Sequence, residues 1–96
     1  MKLTDAEQAS LDSLLAYGYV QIEKYGRFQP GTRVLIGSGP GTVVAVTEKP
    51  DSAWSKSWRM DDVELIVRPD DRDVPHYGPA QVAQYHVRQI LEEASP

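Results

Sequence analysis

The segment IGSGPGTVVAV, Ile36 to Val46, constrains the fold more than any other part of the chain. Three glycines and a proline fall within five residues, Gly37 to Gly41, and β-branched residues follow at once. A Gly-rich loop that cradles a phosphate needs a helix directly after it, so that the helix N-terminus meets the charge. Thr42 to Val46 favour a strand instead. No lysine followed by serine or threonine closes the glycines, as a P-loop requires. Ser38 does not sit in Gly-x-Ser-x-Gly spacing, so it is no nucleophile elbow. The segment therefore predicts a tight turn between two strands, with Pro40 stiffening it.

The flanking sequence supplies matching strands. Pro30-Gly31 predicts a turn, Arg33 to Ile36 a short strand and Thr42 to Thr47 a second. Lys49-Pro50-Asp51-Ser52 predicts a turn, and the loop AWSKSWRMDD has no defined shape. Val63 to Arg68 predicts a strand with Val63, Leu65 and Val67 on one side. Pro69 to Arg72 reads as a turn and Asp73 to Tyr77 as a short return strand. After Gly78-Pro79, Ala80 to Val82 fits a single helical turn and Tyr85 to Ile90 a last strand. A helix over residues 80–93 competes with that pair, because Val82, Tyr85, Gln89 and Ile90 keep helical spacing.

Ahead of the strands, Thr4 to Glu7 form a capping box, with Thr4 as N-cap. Leu11, Leu14, Leu15, Gly18, Ile22 and Tyr25 then recur at steps of three and four. They predict a helix over 4–25, ending at Gly26 as the left-handed residue beyond its terminus. The stretch 17–25 is the less helical part: Gly18 costs roughly 1 kcal/mol inside a helix, and Tyr17 to Val20 also suit a strand.

The order of elements resembles a five-stranded Src-homology-3-like β-barrel. Within it, Gly31 and Val34, then Gly41, Val43 and Val46, resemble the glycine-punctuated two-strand unit of KOW-type domains and of CarD-type transcription regulators. The resemblance implies a single mainly β domain: an N-terminal helix at 4–25, a barrel at 31–90 and a tail at 91–96. For function it implies nucleic-acid binding linked to transcription. The basic residues those families place around the turn are missing from GSGPG, so only the fold is carried over.

Charge bears on the same question. The chain of 96 residues carries a net charge of −4, with a pI near 5.0, and the excess acid lies toward the C-terminus. Duplex-binding proteins present a basic face. No cysteine is present, which excludes disulfides, cysteine zinc sites and thiol nucleophiles. MKLTDAEQ has no apolar stretch after its lysine, so a cytoplasmic protein without a secretory signal is expected.

Few residues suggest catalysis. His76 and His86, with Asp70, Asp71 and Asp73 nearby, match no ligand spacing. Asp61-Asp62 and Asp70-Asp71 are adjacent carboxylates: neighbours on a strand point apart, and turn chemistry accounts for the second pair, whereas a catalytic pair must converge. No cofactor, metal or catalytic residue is expected. The remaining candidate is the loop with both tryptophans, two cations and no acid: Trp54, Lys56, Trp58 and Arg59. Aromatics interleaved with cations anchor a protein partner or stack on bases. One of the tryptophans, Trp58 in preference, instead plugs an open end of the core.

The expected function is a non-enzymatic protein-binding module, acting through this loop and the nearby barrel edge on a larger protein. Its size suits a small accessory protein, such as a phage encodes. Nucleic-acid binding through the same loop is the alternative. Tyr17, Tyr19 and Val20 lie off the helix's apolar stripe, so the helix has two apolar faces. One packs on the barrel, and the other leaves a homodimer open.

Overall fold

The computed structural model describes residues 2–37, 39–50, 52–58, 61–70 and 79–90. In chain order the elements are α1 (Asp5–Ala16), β1 (Val20–Ile22), β2 (Arg33–Ile36), β3 (Gly39–Glu48), α2 (Ala53–Trp58), β4 (Val63–Pro69), β5 (Ala80–Ala83), a 3-10 turn (Gln84–His86) and β6 (Arg88–Gln89). The fold is mainly β with one N-terminal helix. The predicted return strand at 73–77 and the tail at 91–96 lie outside the described residues.

One antiparallel sheet contains six strands. Its path runs β5-β4-β3-β2-β6, and β1 pairs with β3 off that path. Five strands had been expected, in a closed barrel. Two of the six, β1 and β5, are not among those five, and among the described residues the path ends, β5 and β6, do not pair.

The helix begins as its capping box dictates. Glu7 N–H donates to Thr4 Oγ1 at 3.1 Å, and Thr4 N–H donates back to Glu7 Oε1 at 2.9 Å. It ends at Ala16, well before Gly26. Gly18 is the residue that stops it, at φ +96°. Gly18 N–H bonds Leu15 O and Tyr19 N–H bonds Leu14 O, both at 3.1 Å. This is a Schellman closure with glycine in the left-handed position. The helical reading of 17–25 fails because the chain spends Gly18 on a cap and then pairs β1 with β3. Gly26 instead serves a two-residue turn between Tyr25 and Phe28, which exchange backbone hydrogen bonds.

Strand β3 starts at Gly39, earlier than Thr42, because Gly39 and Pro40 already pair with Ile36 and Leu35. A register shift between Val43 and Ala45 decides which face each residue of its apolar run takes. A bulge leaves one residue unpaired and bends the strand. Strict alternation would send two of Val43 to Val46 to each face in turn. With the bulge, Val43 and Val46 face an inner core with Val34, Ile36, Val63, Leu65 and Val67. Val44 and Ala45 face an outer core with Ile66, Leu11 and Leu14. α1 is the lid of that outer face.

The C-terminal third also differs from expectation. Ala80 to Ala83 pair with β4 from Val67 to Glu64, so they form a strand where one helical turn was predicted. The turn falls just after, at Gln84–His86, and the closing strand shrinks to Arg88–Gln89. The competing helix over 80–93 loses because β4 offers a backbone edge and the inner core takes Ala80 and Val82.

Candidate functional site

The unshaped loop between β3 and β4 contains helix α2, AWSKSW. Its first turn is closed by the Lys56 N–H donating to Ser52 O at 3.1 Å, and Ser52 is buried. Below α2 the two ends of the excursion are joined: Lys49 N–H donates to Asp62 O at 2.9 Å. Lys56 is exposed on the short helix. The side chains of Trp54 and Trp58, and the whole of Arg59, lie outside the described residues. Three of the four residues of the sequence-predicted site, Trp54, Lys56 and Trp58, thus lie on one short helix at a closed neck, and Lys56 is the one whose side chain is described.

The stem that returns the chain to β4 is Asp61-Asp62. Their side chains part, as neighbours in an extended chain do. Tyr25 Oη donates to Asp61 Oδ2 at 2.7 Å, and Tyr25 packs against the inner core. Tyr19 Oη donates to Asp62 Oδ1 at 2.8 Å, and Tyr19 packs against the outer core. Gln84 Nε2 adds a bond to Asp61 O at 3.1 Å. The adjacent carboxylates therefore hold two tyrosines on opposite faces of the sheet.

The electrostatics follow from these partners. Burial, then the Asp62 hydrogen bond, push the Tyr19 hydroxyl up from its ordinary pKa. The hydrogen bond to Asp61, then burial, do the same at Tyr25. Both phenols stay neutral and serve as donors. Lys49 Nζ lies 5.8 Å from the Tyr19 ring centroid, within cation–π range. Burial, and then Asp62, raise the pKa of the Glu64 carboxyl, while His86 pulls it down. A raised carboxyl pKa means the ionised form costs stability once pH rises through it. Glu64→Gln is therefore expected to raise stability at pH 7 by up to about 0.5 kcal/mol. A urea midpoint measured at pH 7 and pH 4 should show the gain at pH 7.

His86 is exposed and its ring meets Tyr85 edge-on at 4.7 Å. His76, Asp71 and Asp73 lie outside the described residues, and no group of three or more metal-ligating side chains occurs among the described ones. Asp70 is held by Arg33, which donates to both its carboxylate oxygens and to Thr42 Oγ1. That pair stitches β2 to the end of β4.

Neither a family model, nor a curated protein, nor a solved structure matches the chain. The site is therefore read from its own geometry. No helix among the described residues is long and apolar enough to cross a membrane.

Sequence reasoning did not find the tyrosine-carboxylate contacts. Tyr19 and Asp62 are 43 residues apart, and Tyr25 and Asp61 are 36. No local spacing signals a contact that only the pairing of β1, β3 and β4 creates.

Proposed function

We propose that the chain is a non-enzymatic binding module that engages a larger cytoplasmic protein through α2 and the adjoining sheet edge. The observation that carries this reading is the presentation of α2. Both tryptophans of the chain and the exposed Lys56 lie on a short helix above a closed neck. Large aromatic anchors on a rigid support lose little entropy on binding, and such residues dominate interface energetics. Trp54, Lys56, Trp58 and Arg59 are the contact residues in this reading. Recovery from source lysate, comparing the wild type with Trp54→Ala/Lys56→Glu, tests it. The double variant is expected to lose a protein that the wild type retains; equal recovery of every protein by both sinks the reading.

A Src-homology-3-like barrel remains the fold-level part of the proposal. Two features support it: β3 is shared by β1, β2 and β4, and a 3-10 turn precedes a short last strand. Nucleic-acid binding through α2 is the second reading, favoured by the mixture of aromatics with Lys56 and opposed by the acidic stem. It predicts affinity for a labelled single strand that falls steeply between 50 and 200 mM salt, as order-of-magnitude conditions for counterion release.

A homodimer through α1 is the remaining proposal about partners. Leu11 and Leu14 are occupied by the sheet, while Leu15 and Tyr17 are exposed, Tyr17 at 71%. Leu15 also lines a groove of about 540 Å³ with Leu3, Leu11 and Val44. A second copy would use this flank, so sedimentation of Leu15→Asp against wild type reports on it.

A further inference from the structure

We propose that Asp61 and Asp62 form a two-sided clamp that sets the orientation of α2, with Tyr19, Tyr25 and Gln84 as its positioning residues. The proposal deepens the reading of α2 as the binding segment, but the effect of the clamp on α2 stands apart from that reading. Three observations carry it.

The first is placement. Asp61 and Asp62 are the last residues before β4, a short reach along the chain from the end of α2 at Trp58. Whatever fixes these two residues fixes where α2 returns to the sheet. The second is direction. Asp61 is taken by Tyr25 on the inner face, and Asp62 by Tyr19 on the outer face. Restraints from opposite faces resist rotation of the stem in both senses; a single hydrogen bond leaves one sense free. The third is the number of separate supports. Tyr19 follows the helix cap, Tyr25 belongs to the turn after β1, Gln84 opens the 3-10 turn, and Lys49 N–H takes the backbone of Asp62. Gln84 Nε2 also reaches Tyr25 Oη at 3.4 Å. Four segments distant in sequence thus converge on one dipeptide.

The stabilisation this gives is local. Hydrogen bonds to a charged acceptor are stronger than neutral ones. A lid or binding segment opens by local unfolding, separately from the core. Losing one clamp bond raises the open fraction of α2 without exposing Val43 or Leu65, which lie in the inner core.

The test is hydrogen exchange on the whole chain in Tyr19→Phe, Tyr25→Phe and their combination. Phenylalanine keeps each ring against its core and removes only the hydroxyl. Each single variant is expected to speed exchange of the α2 amides, Lys56 N–H among them, on the order of tenfold, and the double variant more. Amides of β3 and β4 at Val43 and Leu65 stay at wild-type rates. Asp61→Asn, which still accepts the Tyr25 hydroxyl, should stay closer to wild type than Asp61→Ala. Both tryptophans lie in α2, so fluorescence anisotropy reports on that segment and should fall in the double variant. Unchanged α2 exchange overturns the clamp. So does equal acceleration of α2 and core amides, which marks a general loss of stability. If α2 loosens while Trp54→Ala/Lys56→Glu leaves every recovered protein unchanged, the binding reading fails and the clamp stands.

Discussion

Replacing Glu7 with glutamine is expected to destabilise the chain by about 2 kcal/mol, the range for lost hydrogen bonds to a charged group. Glu7 is only 3% exposed, yet it is a carboxylate. A buried charge of this kind persists only where partners saturate its oxygens. Arg68 supplies two of them: Nε donates to Oε2 at 2.7 Å, and an η-nitrogen donates to Oε1 at 2.6 Å. Thr4 N–H supplies the third. The same side chain thus closes the capping box of α1 and ties that helix to β4. Glutamine keeps an oxygen that can accept from Thr4 N–H, so the loss falls on the two-pronged, charge-assisted contact with Arg68. The guanidinium end is 41% exposed, so water screens it and trims the gain from charge.

For a domain of this size the loss corresponds to a fall in Tm of about 8–16 °C. The pH dependence gives a second readout. The Arg68 hydrogen bond, opposed by burial, holds the Glu7 carboxyl below its ordinary value of 4.5. A carboxyl with a lowered folded pKa binds its proton more readily in the unfolded chain. Its contribution is therefore full above about pH 4.5 and disappears as pH falls through the lowered value. Wild type should lose stability over that acid arm, and Glu7→Gln should lose less. Arg33 likewise holds the Asp70 carboxyl down, so the variant's curve keeps some slope. Parallel curves for the two proteins would show that Glu7 does not carry the acid arm.

Gly41→Ala is expected to cost about 2–3 kcal/mol, as forced overpacking of a filled site does. A Cβ at this position would lie 2.8 Å from the Arg68 carbonyl oxygen and 2.8 Å from Val67 Cγ1. The first of these is backbone and cannot rotate away. Gly41 sits opposite Pro69 on β4 and opposite Val34 on β2, with a neighbour on each side. Relief requires β3 and β4 to separate at Arg68, the residue that grips Glu7. The two sites are therefore expected to be coupled, and the double variant should cost less than the sum. Gly37→Ala is the control: nothing lies within 4 Å of its Cβ and its φ is not positive. That change should fall within about 0.5 kcal/mol of wild type. Urea midpoints with an unchanged slope would measure both. Equal midpoints for the two alanine variants would remove the close-approach argument.

These two residues also show what a reader of the sequence sees. The Thr4–Glu7 capping box was legible because both partners lie within one turn. Arg68, 61 residues away, was not. A turn within GSGPG was legible, but its extent was not: Gly39, Pro40 and Gly41 belong to β3 and pair with β2. That Gly41 is needed for contact with β4, while a Cβ at Gly37 would meet nothing, required the packed sheet. Gly18 could have been read: glycine after a helical stripe is a terminator as well as a penalty. Its cap outweighed the continuing apolar spacing through Ile22 and Tyr25, because β3 offered β1 a strand to pair with.

The sequence by itself determined what is local: where α1 starts, where β2 and β4 run, the turn between β2 and β3, and the clustering of both tryptophans. Each rests on dihedral preference, capping or period over a few residues. The tertiary structure decided the rest. It showed that Val43 to Val46 serve two cores through a bulge. It showed that Ala80 to Ala83 are strand, and that Asp61 and Asp62 part to meet tyrosines on opposite faces. Those outcomes depend on hydrogen bonds and apolar contacts between residues tens of positions apart. Such contacts exist only once the sheet has brought them together.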